Sequence, residues 1–235
     1  MNDGALIDRD GQRLICHPGA SEKTVYKIPE GINTIAYGAF SFNINLEEIT
    51  ISDTVTSIGA YAFYNCRSLT SITIPDSVNS IGNNAFTNCR DLSEVKLSNN
   101  LKMISSSLFS YCSSLFSVNI PDGVTEIGDN AFYRCKILTE ISIPDNVSII
   151  GTYAFSDCEN LSKVNLPDTL TSIGTYAFGW CGNLTDIFIP ESVTYIGYDA
   201  FSSCYNLTVT VAENSYAQQY CEENNVRYQT DWLTR

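Results

Sequence analysis

The chain has 235 residues, 44% of them hydrophobic, which is ample for a continuous core. Twenty-six acidic residues against thirteen basic give a net charge of −13, which argues against nucleic acid or an anionic membrane surface as partner. No apolar run approaches the length of a membrane span, so this segment is not expected to insert into a bilayer.

The N-terminus reads MNDGALIDRDGQRL, with no basic or apolar stretch of an export signal. Patterned sequence begins almost at once, as in a domain cut from a longer or processed protein, although a complete cytosolic protein would look the same. ALIDRDGQRLICHP reads as a hairpin turning at Asp10-Gly11, and residues 1–27 are expected to form an N-terminal cap. The only histidine, His17, lies here between Cys16 and Pro18. A Cys-His pair adjacent in sequence is no catalytic dyad, because such partners come together from distant segments. A surface or cap-packing role is expected.

From residue 28 to 211 the chain repeats. Phenylalanine recurs at positions 40, 63, 86, 109, 132, 155, 178 and 201, a strict 23-residue interval, and alanine precedes it everywhere except at Leu108. A leucine stands six residues after each Phe and an isoleucine five before it. Within one unit, the alternation in LTSITIP (residues 69–75) predicts a short strand with Ile72 and Ile74 inward. Pro75 ends the strand, Pro-Asp-Ser turns, and Val78 and Ile81 return to the core. Gly82 is read as freeing the backbone at the next corner, before a short helical or 3₁₀ turn over NNAFTNC. Each unit is one coil of a solenoid, and eight strands about 4.8 Å apart make a sheet on the order of 40 Å long. The coil with Ser98 for proline, Ser105 for glycine and Leu108 for alanine is expected to be locally irregular. After Leu207 the register fails, and ENSYAQQYCEENN predicts a short helix begun by Asn214 or Ser215, with residues 212–235 as the second cap of one continuous domain.

The unit LxxIxIPxxVxxIGxxAFxxC resembles the BspA-like leucine-rich repeat family over nearly the whole chain, from Ile28 to Val211. The resemblance implies a right-handed repeat solenoid with a parallel β-sheet on one face and short helical or 3₁₀ turns opposite. It implies a bacterial cell-surface or extracellular setting, adhesion to host or extracellular-matrix proteins, and no catalytic residues to carry over. No cofactor or metal site is expected.

Each group of chemistry-bearing residues also has a simpler role. Cysteines 66, 89, 112, 135, 158, 181 and 204 share one column, with Asn43 in that place in the first unit. Parallel inward side chains suit χ₃ near 90° poorly, and no short C-x-x-C knuckle exists, so buried small hydrophobes are expected instead of disulfides or zinc. Glu48, Ser71, Glu94, Ser117, Glu140, Lys163 and Asp186 face outward on the sheet. Acids on alternate coils would lie about 9.6 Å apart, near the spacing of an inverting glycosidase, yet a solvated face explains them as well. The acids after the proline, Glu30, Asp53, Asp76, Asp122, Asp145, Asp168 and Glu191, fit turn chemistry, with a weak cation site as the alternative. The aromatics outside the core columns are the most informative: Tyr153, Tyr176, Trp180, Tyr195 and Tyr198 around the Ala-Phe pair, with Phe116 and Phe188 on the sheet face and Asp186 beside Phe188. They read equally as interface anchors or as a rigid ladder packed between coils. The expected function is therefore a non-enzymatic adhesion module for a protein ligand, with glycan recognition or hydrolysis on the same surface, or a passive spacer, as alternatives.

Overall fold

A computed structural model describes residues 4–19 and 22–230. The chain winds through about nine turns of a β-solenoid, mostly parallel strand and very little helix. Each coil crosses two ladders. The longer is a row of strands that pair in separate groups, Val25–Lys27 with Glu48–Thr50, Ser71–Thr73 with Glu94–Lys96, Glu140–Ser142 with Lys163–Asn165, and Asp186–Ile189 with Thr208–Val211. Its inward residues, such as Ile72, Ile141 and Ile187, are buried between exposed neighbours, as the period-two pattern requires.

A second, shorter ladder is not signalled by the repeat pattern. It stacks two-residue strands from Thr34–Ile35 and Ser57–Ile58 through to Tyr195–Ile196, in register at each 23-residue step except the one from Ser80–Ile81 to Met103–Ile104. Between the short ladder and the next long strand lies the turn side, which carries the Ala-Phe pair. Here alternate residues bond within the coil and to the next one: Ala62 N to Gly59 O at 3.3 Å and Tyr64 N to Tyr61 O at 3.0 Å, but Phe63 N to Ala85 O and Asn65 N to Thr87 O, both at 2.8 Å. Backbone groups that a tight corner would orphan are thereby satisfied by the neighbouring coil.

The core is a set of columns. Phe40 to Phe201 stack face to face, centroids 5.1–5.7 Å apart. Each cysteine from Cys66 to Cys204 directs its thiol to the carbonyl of a Phe in the preceding coil, Sγ to O distances being 3.0–3.2 Å. All nine cysteines are free.

The glycine after each isoleucine has a different purpose from the one expected. None of Gly59, Gly82, Gly151, Gly174 and Gly197 adopts positive φ. A Cβ on each would instead lie 2.3–2.6 Å from backbone of the preceding coil. The column is glycine because adjacent coils touch there. In the irregular coil, where Ser105 replaces that glycine, the short ladder is interrupted between Ser80–Ile81 and Met103–Ile104. Gly82 N bonds Ile58 O and Gly128 N bonds Ile104 O at 2.8 Å, whereas at Ser105 the side-chain hydroxyl bonds Ile81 O. Ser98, in place of proline, likewise bonds Val78 O at 2.5 Å. The Phe column continues through this coil, so the irregularity is confined to the ladder.

Both ends continue the stacking. Leu6–Ile7 and Arg13–Cys16 pair antiparallel, and Arg13 and Leu14 then lie parallel to Thr34 and Ile35. His17 sits in register with the Phe column: its N–H bonds Ala39 O at 2.7 Å and its ring stacks on Phe40 at 5.3 Å. It is buried, and its Nδ1 lies 2.7 Å from Asn43 Oδ1. Asn43 Nδ2 reaches His17 O at 3.4 Å, the bond that the thiol makes in later coils, which accounts for asparagine there. At the other end helix α1, Tyr216–Glu223, starts at Ser215, whose hydroxyl accepts from Gln218 N. Tyr220 on α1 meets Phe201 edge-on at 6.3 Å and accepts a bond from Ala200 N at 3.1 Å. Tyr228–Thr230 then adds a last strand beside Thr208–Val211.

Candidate functional site

The turn side has an unusual backbone. In every coil two residues, placed two before and two after the Phe, adopt the left-handed conformation, and the fifteen non-glycine ones have φ of 51–64°. Asparagine and aspartate enter this region cheaply, and Asn65, Asn84, Asn88, Asn130, Asp157 and Asp199 are six of them. Another six are aromatic: Phe42, Tyr61, Tyr111, Tyr153, Tyr176 and Trp180. A bulky side chain there costs about 1–2 kcal/mol of backbone strain. The fold therefore does not call for aromatics at these positions. Their presence needs another cause, either packing between coils or a role at the surface.

Packing is present. Tyr153 stacks on Tyr176 at 5.1 Å, Tyr176 stacks on Trp180 at 5.2 Å, and Tyr198 meets Tyr176 edge-on at 5.8 Å. Tyr176 donates its hydroxyl proton to Asp199 Oδ2 at 3.0 Å, and that bond to a carboxylate raises its pKa. The row continues through Tyr133, 6.3 Å from Tyr153, to Tyr111, 5.3 Å from Tyr133. Arg134 lies over Tyr111 and Tyr133, its Cζ 5.4 and 5.3 Å from the ring centroids, and its Nε donates to Asp157 Oδ2 at 2.7 Å. Tyr133, Tyr153, Trp180, Arg134, Asp157, Asn130 and Ser156 line a groove of about 620 Å³. Trp180 stays 43% exposed despite its stacking partner and Tyr198 67%, so ring surface remains for a ligand.

Tyr153, Tyr176, Trp180 and Tyr198 are thus brought together; the other candidates are not. Phe188 and Asp186 lie on the long ladder, paired with Thr210 and Thr208. Tyr195 is on the short ladder beside Ser172, and Phe116 stands exposed where the long ladder is interrupted. A second, smaller aromatic group occupies the first two coils, where Tyr37 meets Tyr61 at 5.3 Å and Phe42 meets Tyr64 at 5.5 Å. Asn84 and Asn88 separate it from the larger one in sequence. Sequence reading missed Arg134, since nothing in the repeat marks a cation that will lie across two rings.

The carboxylates do not converge. Glu140 lies directly beside Lys163 on the long ladder, and the shallow groove that Glu140 lines has no second acid among the described residues. Asp76 accepts bonds from Asn99 N at 2.9 Å and Asn99 Nδ2 at 3.3 Å, which hold its carboxyl below the ordinary value. In this column an acid therefore also bridges coils. Among the described residues no three His, Cys, Asp or Glu side chains are grouped to hold a metal. The column thiols are turned inward, and burial pushes Cys66 up to about 12.

Sequence comparison agrees with this geometry. The BspA type leucine-rich repeat region matches in six copies, over residues 20–139 and 125–225. The chain belongs to the BspA-type leucine-rich repeat family. No curated protein matches it. Among solved structures it is similar to a leucine-rich repeat protein from Eubacterium ventriosum, at 32% identity and a TM-score of 0.57, over 85% of this chain and 48% of that one. It is also similar to the Treponema pallidum leucine-rich repeat protein, at 25% identity and a TM-score of 0.69, over 97% and 94% of the two chains. The pneumococcal vaccine antigen PcpA shares the fold, at 24% identity and a TM-score of 0.56, over 82% of this chain and 52% of that one. The chain thus spans about half of the Eubacterium protein. Among the described residues no helix is long and apolar enough to cross a membrane.

Proposed function

We propose that the chain is a non-enzymatic binding module of a cell-surface protein and that it holds a protein partner on the aromatic surface of its turn side. Family membership supports a repeat scaffold for binding. The observation that carries the assignment to this face is the set of aromatics in left-handed backbone, where asparagine would fold at lower cost. Half-exposed Tyr and Trp bury much area on contact with little loss of rotamer freedom, which is why they anchor interfaces.

The test is a panel of extracellular-matrix proteins and host-cell surfaces, probed with the wild-type chain and with Trp180→Asn and Tyr176→Asn. Asparagine suits the backbone at both positions, so the variants fold. A partner retained by the wild type and weakened tenfold or more, about 1.4 kcal/mol, in both variants is the expected result. Binding that survives both changes, but is lost in Phe188→Ala, would move the site to the long ladder. A neutral oligosaccharide as the bound species would favour glycan recognition, and no ligand at all would favour a spacer.

A further inference from the structure

We infer that the turn-side surface recognises cationic side chains, so that the protein partner presents an arginine- or lysine-rich segment to it; this rests on the reading of that surface as the binding face. The chain already holds one such side chain against its own rings. The Arg134 guanidinium lies 5.4 Å from the Tyr111 centroid and 5.3 Å from that of Tyr133, with Asp157 Oδ2 at 2.7 Å from its Nε. A planar, delocalised cation is attracted by the ring quadrupole while a carboxylate fixes its orientation.

The same ingredients recur along the solenoid, there without a cation of this chain among the described residues. Tyr153, Tyr176 and Trp180 form a row of stacked rings, and Asp199 stands at its end, bonded by the Tyr176 hydroxyl at 3.0 Å. Trp180, the strongest cation-binding ring type, is 43% exposed. The groove beside it also includes Ser156, which is buried and whose hydroxyl has no hydrogen-bond partner among the described residues. The nearby cations are paired, Arg134 with Asp157 and Lys136 with Glu159 at 2.6 Å, so they do not oppose a further positive charge in full. The whole molecule, at −13, draws a basic segment toward it and repels an anionic one. A neutral glycan could use the rings but would gain nothing from this charge.

The experiment titrates the whole chain with a Gly-Arg repeat peptide and with the same peptide carrying citrulline, which keeps the shape of arginine and removes its charge. Low salt and high salt are both used, because pure charge attraction fades with screening. The arginine peptide is expected to bind, the citrulline peptide to bind about tenfold more weakly or worse, and Trp180→Asn and Tyr153→Asn each to weaken arginine-peptide binding about tenfold at high salt. Equal binding of the two peptides overturns the proposal. So does arginine-peptide binding unaffected by both variants, since charge alone would then draw the peptide, and so does no binding of the arginine peptide at all. If the peptide fails while a matrix protein is still held in a Trp180-dependent way, this inference falls and the proposed binding function stands.

Discussion

Replacing Gly174 by alanine isolates the contact that sets the spacing of the coils. The added Cβ would lie 2.5 Å from Gly151 C and 2.5 Å from Thr152 N, both backbone atoms of the preceding coil that cannot rotate away. Normal carbon contact is about 3.5 Å, so the coils must separate locally by about 1 Å. Two bonds across that seam are strained by the movement, Gly174 N to Ile150 O and Tyr153 N to Thr175 O, each 2.8 Å in the native fold. Lengthened by about 1 Å they pass beyond hydrogen-bonding distance. Overpacking of about 1–3 kcal/mol plus two lost bonds at about 1 kcal/mol each gives a destabilisation of about 3–5 kcal/mol. For a chain of this size that is a fall in Tm of about 6–20 °C. Gly182→Ala is the control, since nothing lies within 4 Å of its Cβ position and its φ is not positive. That change should be neutral or stabilise by about 0.4–1 kcal/mol through the unfolded chain. Thermal and urea unfolding followed by circular dichroism compare the two. If Gly174→Ala cost no more than Gly182→Ala, close approach of the coils would not be the reason for glycine, and the corner-flexibility reading would return.

Thiol labelling of the native chain should modify Cys16, which is exposed, and more slowly Cys204, which is half-buried, while the other seven wait for unfolding; rapid native labelling of Cys112 or Cys135 would contradict the inward column. Stability should fall steeply with alkali. Cys66 titrates near 9.0 when free and is pushed up to about 12 by burial, so its neutral form is favoured in the fold and that contribution, complete below pH 9.0, is lost as pH rises towards 12. Tyr220 acts in the same direction, its hydroxyl raised from 10.0 to about 12 by burial, and a Tm constant from pH 8 to about 11 would refute both. At the N-terminal end, His17→Phe alone removes the partner of Asn43 Oδ1 and should cost about 1–3 kcal/mol. Adding Asn43→Cys restores the pattern of the later coils, and the double variant should recover about 1 kcal/mol or more of that loss; strict additivity in urea unfolding would show that the two residues are not coupled.

The residues that recur were legible because a solenoid repeats its physics along with its sequence. Ile72 and Ile74 inward, Phe86 in the core and Cys89 as a buried small side chain all follow from period-two alternation and from the 23-residue register. The place of His17 was legible in the same register: it stands 23 residues before Phe40, and in the structure it takes the Phe place at the head of the stack. Chemical identity hid that register, since histidine invites a search for chemistry while its location calls for a flat ring. Glycine was misread for a related reason. A single sequence shows that Gly82 is small; it does not show whether smallness serves its own backbone or leaves room for that of Ala60, 2.3 Å from where its Cβ would be.

The surface is less legible because its cost appears only in the backbone. Tyr176 and Asn84 hold the same place in different coils, and as letters they say only that the position varies. With φ at 51° and 60°, the two cease to be equivalent: asparagine is the residue that this conformation favours, and tyrosine is tolerated in spite of it. Variation along a repeat is then graded by energy, with Asn84 and Asn88 marking where the scaffold meets only its own needs. Tyr153, Tyr176 and Trp180 mark where a strained backbone carries stacked rings instead. On that scale the polar long-ladder face, with Glu140 beside Lys163, shows no comparable strain, and the turn side is where a change to asparagine should separate binding from folding.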